Sequence, residues 1–438
     1  MKSRTTLNGK QRERYWKALR FALGGTMAVA GAGLLSMPAF ADDANRIEKL
    51  EQENQALQRR LSALEAIAQK EGILPSGDAS TDGKKAVSAL SDITISGFVT
   101  ASYFYDTSVP GDRTSNGYLW NTSHNAFSLN KVKLTLASAP VERSGEKWDA
   151  AFRVSLIWGE DAPVVNTGGE AQGFENLREA YVELNAPLGT GLNIRAGQLI
   201  SLLNYESGDG GAVNANFSQG YQWFYTGNGP SAGVQLGYTF TDWLDLKVRL
   251  QNGMYAGPFD GNNAKTVMAA LGIKPDSKTW LSLIGFGGDE SDTLTVRGGS
   301  LLAGRTFGDK ITTGLELDYF NFETPGGHSD LYSVGGWFSY DFNPKVGIAV
   351  RVEYLRDQDA FGIPGVPGGG FRGNPGSVIT ASGDTDGDLT SVALTLNIKP
   401  VPNIKLQPEI RFDNTSYKNG FDGQESRFLI GMGASYLF

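Results

Sequence analysis

From residue 92 to residue 438 the chain alternates apolar and polar side chains with period two, and one of the two faces carries full charges. In 403–415, Ile404, Leu406, Pro408, Ile410 and Phe412 alternate with Lys405, Gln407, Glu409, Arg411 and Asp413. In 345–357, Ile348, Val350, Val352 and Tyr354 oppose Arg351 and Glu353. In 243–254, Leu246, Val248 and Leu250 oppose Asp245, Lys247, Arg249 and Gln251, and in 147–159, Phe152, Val154, Leu156 and Trp158 oppose Asp149, Arg153 and Ser155. Period two is the side-chain repeat of a β-strand. A strand with one oily face and one charged face suits a wall between hydrocarbon and water, because a charge near the bilayer midplane costs ~2–4 kcal/mol. No stretch after the N-terminal segment supplies the ~20 apolar residues of a spanning helix. A chain built this way crosses a membrane as a closed barrel, where every backbone group finds a partner.

Sixteen segments carry the pattern: 92–106, 125–139, 147–159, 174–186, 191–199, 229–240, 243–254, 264–274, 279–288, 297–307, 311–322, 329–341, 345–357, 388–399, 403–415 and 427–438. Every second connection between them is brief, and most of these hold Pro or Gly, as in 187–190, 275–278 and 400–402. The intervening connections read as longer and polar, as in 107–124, 200–228 and 358–387. Alternating short and long links are the mark of an outer-membrane barrel with both chain ends in the periplasm, which requires an even strand number. The expected fold is therefore all-β transmembrane, an antiparallel 16-stranded outer-membrane β-barrel over 92–438. Tyr103, Tyr105, Trp158, Trp243, Trp280, Trp337, Tyr340 and Tyr436 cluster near strand ends, where interfacial girdles are expected. The chain closes on Gly433-Ala434-Ser435-Tyr436-Leu437-Phe438. Tyr436 and the terminal Phe438 resemble the signal that the barrel-assembly machinery reads during biogenesis.

Ahead of the barrel the pattern changes. Residues 1–41 have a basic start, an apolar run from Phe21 to Met37 and a small-x-small site at Ala39-Phe40-Ala41. That reads as a cleaved secretory signal peptide. Residues 42–71 read as a periplasmic coiled-coil helix whose seam is Ile47, Leu50, Asn54, Leu57, Leu61 and Leu64, with Asn54 as the polar register-setting position. Arg60-Leu61-Ser62-Ala63-Leu64-Glu65 resembles a short trimerisation signature, so a homotrimer is expected; docking on the barrel rim is the alternative. Residues 72–91 read as a polar linker. The formal net charge is −8, and removing the seven Lys/Arg and one Glu of the first 41 residues leaves −14. An acidic balance excludes a nucleic-acid partner, whose binding needs a basic footprint. Zero cysteine excludes a disulfide framework, a zinc–thiolate site and attached haem.

A more specific likeness lies in Ala180-Tyr181-Val182-Glu183-Leu184-Asn185-Ala186-Pro187-Leu188-Gly189, in Leu192-Asn193-Ile194-Arg195-Ala196-Gly197-Gln198-Leu199, and in Asn204-Tyr205-Glu206 and Asn214-Ala215-Asn216-Phe217-Ser218. These runs, with Gly229-Pro230 and Gly233-Val234, resemble the β-barrel porin-2 (OmpL-like) family over 92–438. The family often has Gly before the Glu where this chain has Tyr205. The resemblance implies a passive porin for small hydrophilic solutes such as ions or sugars, set in outer-membrane lipid. The coiled coil is not a constant of that family.

Sixteen strands leave an aqueous lumen. The connection 200–228 is the third on the long-link side, the position at which trimeric porins of similar size fold a loop inward. Its Tyr205, Glu206, Asp209, Asn214, Asn216 and Tyr221 are the expected constriction residues. Lumen charges are expected at Lys131, Lys133, Arg153, Glu183, Arg195, Lys247, Arg249, Glu316, Asp318, Arg351, Glu353, Glu409, Arg411 and Asp413. Such charges either face one another across the water, setting a transverse field, or pair along the wall and stiffen it. The Asp384–Asp388 run and Asp357 and Asp359 have a loose calcium-like spacing, but a solvated acidic loop is favoured, so no metal and no cofactor are expected. The two histidines, His124 and His328, fall in expected far-side loops, which leaves an outer-membrane barrel enzyme as a minor alternative. A third possibility is an anchoring barrel that tethers the envelope through its coiled coil.

Overall fold

The structure is a computed structural model that describes residues 93–115, 122–166, 174–254, 256–257, 260–358, 386–417 and 420–438. The expected signal segment, coiled-coil seam and linker lie outside these residues. The described chain is sixteen strands: β1 (Ile93–Asp106), β2 (Ala126–Ser138), β3 (Asp149–Trp158), β4 (Leu177–Ala186), β5 (Leu192–Leu199), β6 (Ser231–Thr241), β7 (Leu244–Gln251), β8 (Thr266–Asp276), β9 (Thr279–Ser291), β10 (Leu294–Phe307), β11 (Ile311–Thr324), β12 (Gly327–Asn343), β13 (Val346–Gln358), β14 (Gly387–Ile398), β15 (Ile404–Thr415) and β16 (Ser426–Leu437). Two short helices, α1 (Ala162–Val165) and α2 (Tyr221–Tyr225), and a 3-10 turn at Gly210–Ala212 sit in connections. Every strand starts and ends within three residues of its expected limits.

Each strand pairs antiparallel with its sequence neighbours, and β16 returns to β1 to close the barrel. Closure runs from Phe98 opposite Leu437 to Asp106 opposite Leu429. Gly97 and Phe438 complete it by exchanging N–H···O bonds of 2.9 and 3.0 Å. Closure removes the free edge that would otherwise leave donors and acceptors bare in lipid.

The burial pattern is inverted relative to a water-soluble protein. The inward charged residues of β13 and β15 are enclosed, Arg351 at 0% and Arg411 at 1% exposure, while Val352 and Ile410 stand outside at 48% and 40%. An apolar outer belt and a polar inner wall are what a membrane barrel needs. Among the described residues no helix is long and apolar enough to cross a membrane.

Three features depart from the sequence reading. First, two connections on the far rim, opposite the rim where β1 begins and β16 ends, are as tight as those on the near rim. Between β9 and β10 only residues 292–293 intervene, and between β11 and β12 only 325–326. The polar residues expected there as loop continue the ladder, with Asp289 opposite Thr295 and Glu323 opposite His328. His328 is thus a strand residue. Second, Trp337 faces inward rather than joining a girdle: it shares the inner face of β12 with Ser333 and Gly335 and is 7% exposed. Trp280, likewise expected in a girdle, stacks inside the barrel on a connecting-loop tyrosine. Third, part of the inner wall is apolar. Met268, Ile284, Phe286, Val296, Phe320 and Phe322 are buried in one cluster together with Tyr221, Phe224 and Tyr225. An apolar inner face is favourable only when something covers it, and a loop does so.

Candidate functional site: the loop inside the barrel

Residues 200–230, the connection from β5 to β6, do not project from the rim. They run through the lumen, and from Phe217 to Pro230 every residue is buried. Two kinds of interaction hold them. One is the apolar contact of α2 with the inner wall. The other is a set of wall carboxylates that accept from loop backbone amides. Because an amide left unpaired in such a place would cost ~1–3 kcal/mol, the pairing fixes the path of the chain.

The attachments can be followed along the loop. Arg249 on β7 donates to the Ile200 carbonyl at 2.8 Å. Glu316 on β11 accepts from the Tyr205 amide at 2.7 Å and from Asn204 Nδ2 at 3.0 Å. The Tyr205 ring stacks between Trp337, 4.6 Å away between centroids, and Trp280 at 6.0 Å. It lies where a side chain at Gly314 would otherwise be, so the missing side chain there admits the ring. Glu206 accepts from the Gly220 amide at 2.8 Å, from Arg351 at 2.8 Å and from Trp337 Nε1 at 3.3 Å. Asp209 reaches Lys133 on β2 at 2.6 Å. Lys405 on β15 donates to the carbonyls of Gly211, at 2.8 Å, and Asn214.

Asn214 braces the loop itself: it accepts from the Ser207 amide at 2.9 Å and donates to Gln219 Oε1 at 2.7 Å. Asn216 Nδ2 donates to Thr395 on β14 at 2.7 Å. Glu409 on β15 accepts from the amides of Phe217 at 2.7 Å and Ser218 at 3.1 Å. Arg411 donates to the Gln219 carbonyl at 2.6 Å and lies 4.7 Å from the centroid of the Tyr221 ring. Glu353 on β13 accepts from the amides of Tyr221 and Gln222, which opens α2. Asp318 on β11 accepts from Gln222 Nε2 at 2.9 Å and Thr226 Oγ1 at 2.8 Å. The loop thus spans from β7 and β2 across to β11–β15.

All fourteen expected lumen charges lie on the inner face, but they do not form two open rings. Arg351 is within 2.9 Å of Glu353 on its own strand, and Arg411 donates to Asp413 at 2.6 Å. Lys131 pairs with Asp161 at 2.7 Å and Arg195 with Glu183 at 3.0 Å. Lys247 stays half-buried on the inner face of β7. Short-range pairing and loop attachment take up most of the acids, because burying a carboxylate without partners costs far more than facing it across water.

Among the residues that hold this site, Arg427, Gln222, Thr226 and Arg178 carry no expectation from the sequence. Arg427 on β16 joins Asp106 at 3.0 Å to Asp413 at 3.2 Å across the closing seam. Its position in the inward set of the last strand was the available signal. Gln222 and Thr226, an amide and a hydroxyl four residues apart within an aromatic run, carry the spacing that puts both on one side of a helical turn. Arg178 on β4, 6% exposed, donates to the Val165 carbonyl at 2.8 Å, and no pattern pointed to it.

Between the loop and strands β2–β7 lies a cavity of about 250 Å³, lined by Lys133, Arg153, Glu179, Tyr181, Arg195, Leu199, Ile200, Asp209 and Arg249. At the far rim, residues of the connection from β15 to β16 tuck in. Tyr417 donates to Asp357 at 2.5 Å, and burial, with that carboxylate beside it, holds the phenol well above the usual tyrosine range. Asp388 accepts from Tyr354 and Arg356. Asp359 and Asp384 lie outside the described residues.

A family model described as "Putative beta-barrel porin-2, OmpL-like" matches residues 92–438. Among solved structures, OprB of Pseudomonas putida is 11% identical with a TM-score of 0.53, covering 81% of this chain and 97% of that one. The outer-membrane channel DcaP of Acinetobacter baumannii is 14% identical with a TM-score of 0.51, covering 79% and 97%. The trimer form of OmpT of Vibrio cholerae is 12% identical with a TM-score of 0.50, covering 79% and 99%. Identities this low speak for the barrel fold alone. No curated protein matches the chain significantly. The family model, by contrast, covers all sixteen strands and the loop between β5 and β6, and on that match the chain belongs to the putative beta-barrel porin-2, OmpL-like family: it is an outer-membrane porin.

Proposed function

We propose that this porin admits small hydrophilic solutes by passive diffusion, that residues 200–230 set its size limit, and that the passage runs beside the loop along strands β2–β7. The observation that carries this reading is the attachment of the loop to the opposite wall through Glu316, Glu353 and Glu409, which leaves the cavity of about 250 Å³ on the β2–β7 side. A loop anchored at so many points narrows the lumen permanently instead of opening and closing it. Tyr205, Glu206, Asp209, Asn214, Asn216 and Tyr221 are the residues through which it is held.

Planar-bilayer conductance tests the channel, and liposome swelling across sugars of graded size tests the constriction. Ohmic unit steps, with a size cut-off raised by Glu206→Ala and Asp209→Ala, are the expected result. An unchanged cut-off in both variants would remove the loop from the size-limiting role. Absence of conductance together with hydrolysis of lipid or peptide would replace the channel by an enzyme. Against catalysis at His124 stand its own partner and that of the neighbouring Ser123: Ser123 donates to Glu160 at 2.5 Å, while His124 Nδ1 accepts from the Asp106 amide at 3.0 Å.

The protein is further proposed to act as a homotrimer with its chain ends in the periplasm, held by the heptad seam of residues 42–71. The related fold of OmpT has a trimer form. Removal of residues 42–90 distinguishes the roles: dissociation to monomers supports the seam as the assembly device, whereas a persisting trimer favours an envelope tether. Phe438 and Tyr436 are proposed as the contact for the barrel-assembly machinery.

A further inference from the structure

Loop and wall cover the acids on one side of the lumen and leave bases bordering the cavity on the other. On the β11–β15 side the carboxylates of Glu316, Asp318, Glu353 and Glu409 are no more than 6% exposed, and each accepts from loop groups. Their charge is covered by protein. On the β2–β7 side the cavity is bounded by four bases, Lys133, Arg153, Arg195 and Arg249, and two acids, Glu179 and Asp209.

The pairing of those bases leaves a surplus. Lys133 meets Asp209, and Arg153 meets Glu179 through Nε alone at 2.6 Å. Arg195 meets Glu183 through one terminal nitrogen at 3.0 Å, and its guanidinium carbon lies 5.1 Å from the centroid of the Tyr181 ring. Neither arginine makes the two-pronged carboxylate contact that would occupy its fork. Their side chains keep 37% and 32% exposure, the most of any paired inner-wall arginine on these strands. The hydrogen bonds of Arg249 go to neutral oxygens of Gln235, Gln251 and Ile200.

The ladder places these groups together. Arg195, Gln235 and Arg249 stand opposite one another on β5, β6 and β7. In the adjoining row, Arg153 faces Tyr181, which is followed by Gly197 and Gly233.

We infer that the passage selects small oxyanions, of the carboxylate or phosphate class, and that Arg153 and Arg195 are the residues that engage them. This inference rests on the passage lying along β2–β7. A guanidinium with unused N–H groups matches the oxygens of either class, and the sign of fixed lumen charge sets ion preference irrespective of the net charge of the whole protein. The preference is thus opposite in sign to the acidic balance of the chain.

The test is the reversal potential of the purified full-length protein in planar bilayers under a KCl gradient, followed by addition of potassium acetate or inorganic phosphate. Expected is a chloride permeability exceeding that of potassium, with chloride current reduced by the oxyanions. The Arg153→Gln/Arg195→Gln double variant is expected to shift the permeability ratio several-fold toward potassium and to lose the block. Reduction by phosphate but not acetate would assign the site to phosphates, and the reverse to carboxylates. A wild-type channel that conducts but prefers potassium overturns the inference, as does unchanged selectivity in the double variant. An absence of conductance would instead overturn the channel itself. Heat-modifiable gel mobility of the double variant establishes that its barrel is closed; if it is not, the sign of the wild-type reversal potential alone decides.

Discussion

The guanidinium of Arg351 and the carboxylate of Glu206 meet 2.8 Å apart with both side chains almost wholly enclosed, one on the wall and one on the loop. The pair also borders Glu353, so Arg351 stands between two acids. Removing one partner of a buried ion pair costs ~3–5 kcal/mol, because the other charge is left uncompensated. Arg351→Ala is expected to free the loop and to lower stability by about that amount. The checks are a larger single-channel conductance and an earlier heat-induced mobility shift on gels; an unchanged conductance would detach this pair from loop placement.

Glu409 offers a graded version. Its two oxygens receive the amides of Phe217 and Ser218 as well as Thr395 Oγ1. Glu409→Gln keeps one acceptor, and Glu409→Ala keeps none. With ~1–3 kcal/mol for each buried donor left unmade, conductance noise and sugar cut-off are expected to rise in the order wild type, glutamine, alanine.

Gly314 and Gly433 test the loop from the wall side. A side chain at Gly314 would occupy the ring of Tyr205, and one at Gly433 the ring of Phe217. Gly314→Val and Gly433→Val leave the ladder intact yet displace the loop. Swelling assays are expected to show a higher size limit in both, while Gly336→Val, whose added atom meets nothing, is expected to behave as wild type.

Deletion of Phe438 removes two backbone hydrogen bonds to Gly97 and an exposed apolar ring. A fall in the amount of folded barrel in the outer membrane, measured by heat-modifiability of membrane fractions, is the expected outcome. A similar fall with Phe438→Ala, which keeps the backbone bonds, would place the effect in the side chain.

The strands were legible because period two, with charges on one face, has a single physical reading in a wall between lipid and water. β15 shows it: its inward charges and outward aliphatics fall where the alternation put them. The sector β8–β11 was not legible in the same way. Phe286, Phe320 and Phe322 are apolar on the inward face too, so alternation is silent about what they touch. Trp280 and Trp337 were read as girdle residues because strand ends usually hold such residues, but parity places Trp337 inward, and both rings stack on Tyr205. Facing was readable for Glu316, Glu353 and Glu409; that they would receive loop amides was not, because backbone donors leave no mark in a side-chain pattern. For the same reason the tight turns at 292–293 and 325–326 read as longer loops.

The placement of Phe217 ties together two events that could otherwise be separate. Its ring stacks on Phe104 of β1, with centroids 5.6 Å apart, and rests against Gly433 of β16. These two strands are the first and last to be made, and they form the seam. The loop is made midway through synthesis and touches both sides of the join. The Phe217 ring thus packs against both sides of the join, which couples placement of the loop to closure of the sheet. A variant that evicts Phe217 would then be slow to seal, and its defect would appear in the rate of biogenesis before it appeared in the pore.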